Sequence, residues 1–411
     1  VRSAIRRTAS MPTIEVMRRH LAAVGAVLAI AGSMSTASAA VRPSSTPLPP
    51  LDPAALRDAI SGLPNATVTG ALINVTGSAG QWSGTSGVRD IDTRQPVAAD
   101  GNFRVGSISK VFTAVVVLQL AAEHRIDLDR SVQHYLPGLL PASVPTITVR
   151  ELLNHTSGLP DATLGGGDAQ WFADHRLQSW TPRQIVADAV TRPMKFAPGT
   201  EQDYNGTNYY VAGLLIERVT GRTYAHEVRT RIIQPLALRN TYVLDRHDPR
   251  LPGPHAHGYV AVTKDGITTL HDVSEQSPYP WAEGGLISGS ADLTRFISAI
   301  FQGRLVPSSE LDEMFTVPKV KYLGTDNCVI GPEAGQACYS AGLMKTTMPN
   351  GLTGWGKTGS RPGYTSGLFA SRDLSRVLVY SLNPTGNKDG SEMPYVIKIA
   401  AAAFDPSLAG H

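Results

Sequence analysis

Apolar residues recur along this chain in three rhythms, and each predicts a different element. Over Thr67–Val75 and Gln81–Val88 they fall in strand-like runs separated by a Gly-bearing turn, which predicts a hairpin. Arg376–Leu382 (RVLVYSL) carries the clearest strand signal of the other end, and a short strand is expected over Leu368–Ser371, just after Gly367. Val111–Ala122 (VFTAVVVLQLAA) is apolar nearly all round and long enough to be a buried central helix. Helical spacing reappears from Pro53 to about Ser61, with Leu56 and Ile60 on one face, and over Tyr210–Thr220, closed by Gly221. A last helix is expected over Tyr395–Phe404. Thr148-x-x-Glu151 has the form of a capping box opening the helix that carries Leu152 and Leu153. Gly165-Gly166-Gly167 marks a flexible loop.

Strand signals at both ends with helices between them predict an α/β domain built from residues 51–111 and 283–411, interrupted by an all-α insert over 112–282. Two further segments precede it. Met17-Arg18-Arg19-His20 is basic, Leu21–Gly32 is a twelve-residue apolar run, and Ala37-Ser38-Ala39-Ala40 follows. This is the layout of a secretory signal peptide over residues 1–40, cleaved near Ala39 or Ala40. The run is short of the about 20 residues a membrane span takes; an uncleaved anchor is the alternative. Residues 41–50 (VRPSSTPLPP) form a Pro/Ser-rich linker. The expected product is exported and soluble, with no stable membrane span after cleavage.

Charge then narrows the partners. Of 411 residues, 37 are basic and 34 acidic, but five of the basic and one of the acidic side chains lie in residues 1–40. The remainder carries 32 against 33, so nucleic-acid binding has no electrostatic support. The two cysteines, Cys328 and Cys338, flank a Gly- and Pro-bearing loop, and export favours closing it as a disulfide. His255-Ala256-His257 is the one lead for a metal, without an H-E-x-x-H motif or a carboxylate-rich cluster beside it; no metal or other cofactor is expected.

Three motifs carry chemistry. Ser107-Ile108-Ser109-Lys110 puts a hydroxyl and an amine one helical turn apart at the head of the apolar helix, and no other Lys has Ser three positions before it. A hydroxyl needs a base to become a nucleophile, and burial lets a Lys lose its charge. The alternative is an N-cap Ser beside a surface Lys. Gly356-Lys357-Thr358-Gly359-Ser360 offers a cation, a hydroxyl and closely approachable backbone on an edge strand, suited to a substrate carboxylate; a plain turn with a solvated Lys is the alternative. Tyr204, in Asp203-Tyr204-Asn205-Gly206-Thr207-Asn208, could move protons beside two amines, or be a half-buried loop residue.

Together these motifs resemble the serine β-lactamase and penicillin-binding protein superfamily, in its class C β-lactamase and D-alanyl-D-alanine carboxypeptidase branch. Phe103-Arg104-Val105-Gly106-Ser107-Ile108-Ser109-Lys110 is similar to the family's F-R-[IV]-G-S-x-[ST]-K. Leu152-Leu153-Asn154-His155-Thr156-Ser157-Gly158-Leu159 is similar to L-L-x-H-T-S-G-L, Asn208–Gly213 to the stretch after the tyrosine motif, and Lys357-Thr358-Gly359 to [KH]-T-G. Tyr135-Leu136-Pro137-Gly138-Leu139-Leu140-Pro141 resembles secreted carboxypeptidases of actinobacterial type. The resemblance implies an antiparallel sheet flanked by helices with a helical domain inserted. It implies Ser107 as acylated nucleophile, Lys110 as its base partner, Tyr204 as proton shuttle and Lys357 as carboxylate holder. Thr358 and Gly359 would line the substrate site, the backbone N–H groups of Ser107 and Ser360 would form the oxyanion hole, and Trp281 would wall the pocket. His155 falls in a signature expected to be structural. One departure stands out: the family's Y-x-N reads Tyr204-Asn205-Gly206 here, so Asn205 or Asn208 is expected to hold the substrate amide instead.

The implied function is a secreted serine hydrolase working through an acyl-enzyme, above all a D-alanyl-D-alanine carboxypeptidase on cell-wall peptides. An esterase or β-lactamase of the same chemistry, or a weakly catalytic penicillin-binding sensor, are the alternatives. A conventional lipase is disfavoured because no G-x-S-x-G elbow is present.

Overall fold

Six strands from opposite ends of the sequence meet in one antiparallel sheet. In the computed structural model, which describes residue 48 and residues 50–325, 327–329 and 332–405, strands β1 (Val68–Thr76) and β2 (Trp82–Gly87) come from one end. Strands β3 (Met344–Thr347), β4 (Thr353–Arg361), β5 (Tyr364–Ser371) and β6 (Val377–Pro384) come from the other. The order is β2-β1-β6-β5-β4-β3. The expected signal peptide and most of the linker lie outside the described residues.

Position in the sheet explains which strands are legible. Central β6 is buried along its whole length and reads as a continuous apolar run, whereas edge strand β2 alternates half-buried and exposed. β1 lies against β6 with Ile73 opposite Tyr380, so the N-terminal hairpin is held by the last strand. Register also sorts side chains by face. Lys357, Leu368 and Val379 are cross-strand neighbours pointing one way, and Gly356, Phe369 and Leu378 the other.

On one face pack helices α1 (Pro53–Asp58) and α6 (Met393–Phe404), meeting Ile73, Leu378 and Tyr380 through Leu56, Ile60 and Phe404. Asp52 caps α1 by accepting from the N–H groups of Ala54 and Ala55. The other face carries the larger core, centred on α2 (Ser109–Ala122), whose residues Val111–Leu118 are all buried. Burying each of its large apolar side chains is worth roughly 1.5–3 kcal/mol. Phe112 of α2 stacks on Phe296 of α5 (Ser290–Phe301), ring centroids 3.7 Å apart.

Beyond α2, helix α3 (Thr207–Thr220) is buried continuously from Thr207 to Ile216 and stops at Gly221, whose left-handed φ of 70° ends the helix. The Thr148–Glu151 capping box is formed in both directions. The expected all-α insert needs one correction: Tyr259–Lys264 and Ile267–Asp272 form an antiparallel hairpin. Its Asp265-Gly266 turn, with φ of 51° and 79°, is the two-residue connection that Asp-Gly favours. The second strand is mostly exposed, so it shows no apolar alternation. Among the described residues no helix is long and apolar enough to cross a membrane.

Candidate active site

Ser107 lies on a 3₁₀ turn, Gly106–Ile108, that runs directly into α2. Two glycines seat that turn on the sheet. Gly106 has φ +51°, and a Cβ there would come within 2.5 Å of the Ser360 nitrogen; a Cβ on Gly359 would collide with the Val105 carbonyl. Ser366 Oγ donates to the same carbonyl at 3.2 Å. The edge of β4 is open there because β3 pairs only with Thr353–Gly356. Lys357 to Arg361 therefore have one side facing the Ser107 turn instead of a strand.

One turn into α2, Lys110 is fully buried. Its Nζ donates to Ser107 Oγ at 3.1 Å, to the Glu283 carbonyl at 2.8 Å and to Glu283 Oε1 at 2.5 Å. Three donors thus meet three acceptors. Burial pulls the Lys110 pKa down, against the opposing pull of the Glu283 carboxylate. For Glu283 burial pushes upward, but the Lys110 ammonium outweighs it and holds the carboxyl below its ordinary range. Glu283 lies on a short helix, α4 (Trp281–Gly284), and escaped the sequence reading. Its signal was an acidic residue in an otherwise small-residue run, Ala282-Glu283-Gly284-Gly285.

Tyr204 lies in the loop before α3, its ring between two amines: Lys110 Nζ is 5.0 Å and Lys357 Nζ 4.4 Å from the centroid. Below it stand His155 at 4.6 Å and Tyr339 at 4.8 Å. Lys357 is nearly buried and donates to the Thr358 carbonyl at 3.2 Å. Burial, and then the positive charges of Lys110 and Lys357, keep the His155 pKa well below its ordinary value. The imidazole is therefore neutral, and its Nδ1 accepts from the Asn205 N–H at 3.2 Å.

Tyr339 is set by a clamp the sequence did not reveal. The Gln202 side chain accepts from the N–H groups of Cys338 and Tyr339 and donates to the carbonyls of Tyr339 and Asn154. Cys338 is bonded to Cys328, their Cα atoms 5.5 Å apart, so a disulfide loop is tied to the segment beneath Tyr204.

Ser107, Tyr204, Lys357, Thr358, Gly359 and Ser360 line one end of a cavity of about 400 Å³. From there it passes around the open edge of β4 and continues between the sheet and α6, walled by Met348, Phe369, Val396, Ala400 and Phe404.

Three expected substrate contacts are corrected. Asn205 is buried, its amide donating to the Leu159 carbonyl at 2.5 Å and its carbonyl accepting from the Thr207 N–H at 2.6 Å. Asn208 is buried too, accepting from Ser157 Oγ at 2.6 Å. Both amides hold the loop and the start of α3, and neither is offered to a ligand. Trp281 starts α4 at φ 48° and turns its ring onto Gly213 of α3, edge-on to Tyr224 at 5.1 Å. It lines a separate recess of about 170 Å³ with Trp180 and Tyr279. His255 and His257 stack 5.6 Å apart, His257 pairing with Asp272; among the described residues no group of three or more His, Cys, Asp or Glu could hold a metal ion.

Comparison with known proteins places this arrangement among relatives. The profile of the Beta-lactamase family matches residues 56–402. The chain is 26% identical to penicillin-binding protein 4* of Bacillus subtilis over 312 residues, 72% of this chain and 64% of that protein. It is 28% identical to esterase EstB of Burkholderia gladioli over 238 residues, 52% of this chain and 60% of that one. It thus spans about three-fifths of the length of these curated relatives. The solved D-stereospecific amidohydrolase of a Streptomyces species superposes with a TM-score of 0.74 and 36% identity, over 86% of this chain and 99% of that one.

Proposed function

Given that the chain belongs to the Beta-lactamase family, we propose that it is a serine hydrolase whose Ser107 is acylated by a D-amino-acid amide, ester or peptide. Removal of the terminal residue from D-alanyl-D-alanine peptides of the cell wall, after export, is the leading case. One observation carries this reading: a fully buried amine stands 3.1 Å from the Ser107 hydroxyl, and the Tyr204 ring joins it to Lys357 on the same cavity.

Ser107 Oγ attacks the scissile carbonyl while its proton passes to the Lys110–Tyr204 pair, which acts as one coupled unit. The N–H groups of Ser107 and Ser360 are the donors for the oxyanion. Collapse breaks the amide or ester bond, the pair returns the proton to the leaving amine or alcohol, and water then releases the acyl group. The Lys357 cation favours a carboxylate on the departing residue. Relatives that act on D-configured amides or bind penicillins support the substrate class.

A second reading, an esterase for apolar substrates, is favoured by the cavity: beyond Thr358 its walls are mostly apolar, with Thr365 and Glu392 among them, and a terminal D-alanine is too small to fill it. EstB supports this reading as well.

A side-by-side assay tests both. Purified protein is offered a D-Ala-D-Ala peptide, D-phenylalanine amide, nitrocefin and p-nitrophenyl esters, with intact-mass detection of the adduct. Turnover of the D-substrates is expected. Turnover of the esters alone favours the esterase, a stable nitrocefin adduct without turnover favours a penicillin-binding sensor, and no adduct on Ser107 with any of them overturns the reading.

A further inference from the structure

Glu283 grips the buried amine twice, through its backbone carbonyl at 2.8 Å and its carboxylate at 2.5 Å. Its side chain is 23% exposed while that of Lys110 is fully enclosed. The carboxylate reaches the amine across Gly206, two residues after Tyr204. A Cβ on Gly206 would lie 3.2 Å from Glu283 Cγ, 3.3 Å from Oε1 and 3.4 Å from Cδ. Even a methyl group at 206 would press on the carboxylate more tightly than ordinary van der Waals contact, so the absence of a side chain there leaves it room.

We propose that Glu283 is a positioning residue that holds the Lys110 amine on Ser107, and that Gly206 supplies the room it needs. The inference rests on Ser107 being the nucleophile. Gly206 stands where the Y-x-N pattern has its amide, and the Glu283 carboxylate lies against that position. A flexible four-carbon side chain in an apolar wall has many rotamers, and a chelating carboxylate and carbonyl select the one that meets the hydroxyl. The surroundings are mixed in charge. Lys388 and Arg361 act on the Glu283 carboxylate, Asp161 acts on Lys110 from further off, and Tyr204, Tyr209 and neutral His155 pack beside the amine.

The sign of the charge effect is fixed. On this reading the acid limb of kcat/KM follows loss of a proton from the coupled Lys110–Tyr204 pair in the free enzyme. The carboxylate stabilises the ammonium, so its removal lowers the Lys110 pKa and moves that limb to lower pH.

The test compares wild type with Glu283→Gln, Glu283→Ala, Gly206→Asn and the double variant Gly206→Asn/Glu283→Ala. Acylation by p-nitrophenyl acetate is read across pH by burst kinetics and intact mass, with a thermal melt for each protein. Glu283→Gln keeps shape and loses charge; its acid limb is expected to move down by about one unit or more. Glu283→Ala removes the carboxylate, one of the three acceptors around the amine, while the backbone carbonyl stays, and is expected to slow acylation about 100-fold. In the double variant the loss is expected to be at least about tenfold smaller than the product of the two single losses, because the new amide enters the space the carboxylate has left. A wild-type adduct together with an unmoved acid limb in Glu283→Gln and multiplicative losses in the double variant overturns this inference alone. Absence of any wild-type adduct on Ser107 overturns the nucleophile and this inference with it.

Discussion

The two faces of the central sheet are built to opposite standards. On the α2 side, Lys357, Leu368 and Val379 meet a core in which every residue from Val111 to Leu118 is buried, and three polar contacts hold the Lys110 amine. On the α6 side, beginning one residue along the same strand at Thr358, a cavity of about 400 Å³ runs along part of the packing between sheet and helix, lined by Phe369, Val396 and Ala400. Strand alternation lets β4 serve both faces at once. Under the proposed function the filled face holds the amine where proton transfer tolerates little displacement, and the more open face leaves room for part of a substrate.

That contrast can be broken at its sharpest point first. Ser107→Ala removes the hydroxyl proposed as nucleophile, and turnover should fall about 10⁴-fold or more, with no covalent adduct by intact mass. A variant that keeps near wild-type rates would show that the nucleophile lies elsewhere. Next in size is the filling itself: Phe112→Ala, which deletes a ring stacked on Phe296, should cost about 3–5 kcal/mol in denaturant unfolding. A loss below about 1 kcal/mol would mean that this face is no better packed than the other. The hollow face gives the smallest effect. Ala400→Trp should narrow the cavity and lower the octanoate-to-acetate ratio of kcat/KM on p-nitrophenyl esters about tenfold; an unchanged ratio would show that substrate never passes Thr358.

The filled face was the legible one. Ser107 and Lys110 are one helical turn apart, so their meeting follows from local geometry, and α2 announces its burial by being apolar on every side. Lys357 and Tyr204 were legible only as motifs, because their meeting depends on how β4 and the loop before α3 are brought together. What stayed hidden depends on partners far along the chain. Glu283 is 173 residues from Lys110 and has no motif of its own. Asn205 and Asn208 looked available because sequence does not show that Leu159, Thr207 and Ser157 consume them. Trp281 was the right kind of residue pointing the wrong way, turned by a left-handed backbone onto α3. The hairpin over Tyr259–Asp272 has a partly buried first strand and a mostly exposed second one, whose signal in the sequence is the Asp-Gly turn that precedes it.

The pairing of Val68 with Pro384 has a consequence for how such a molecule comes into being. The hairpin over Val68–Gly87 is synthesised well before its central partner, and until Val377–Pro384 emerges the middle of the sheet does not exist. A nascent chain stopped short of Val377 already holds the Ser107 turn and all of α2, yet lacks the strand that joins its two halves. Order of synthesis and order in the sheet are thus inverted: the Ser107 turn is made early, but the sheet it sits on closes only once Val377–Pro384 has joined Val68–Thr76.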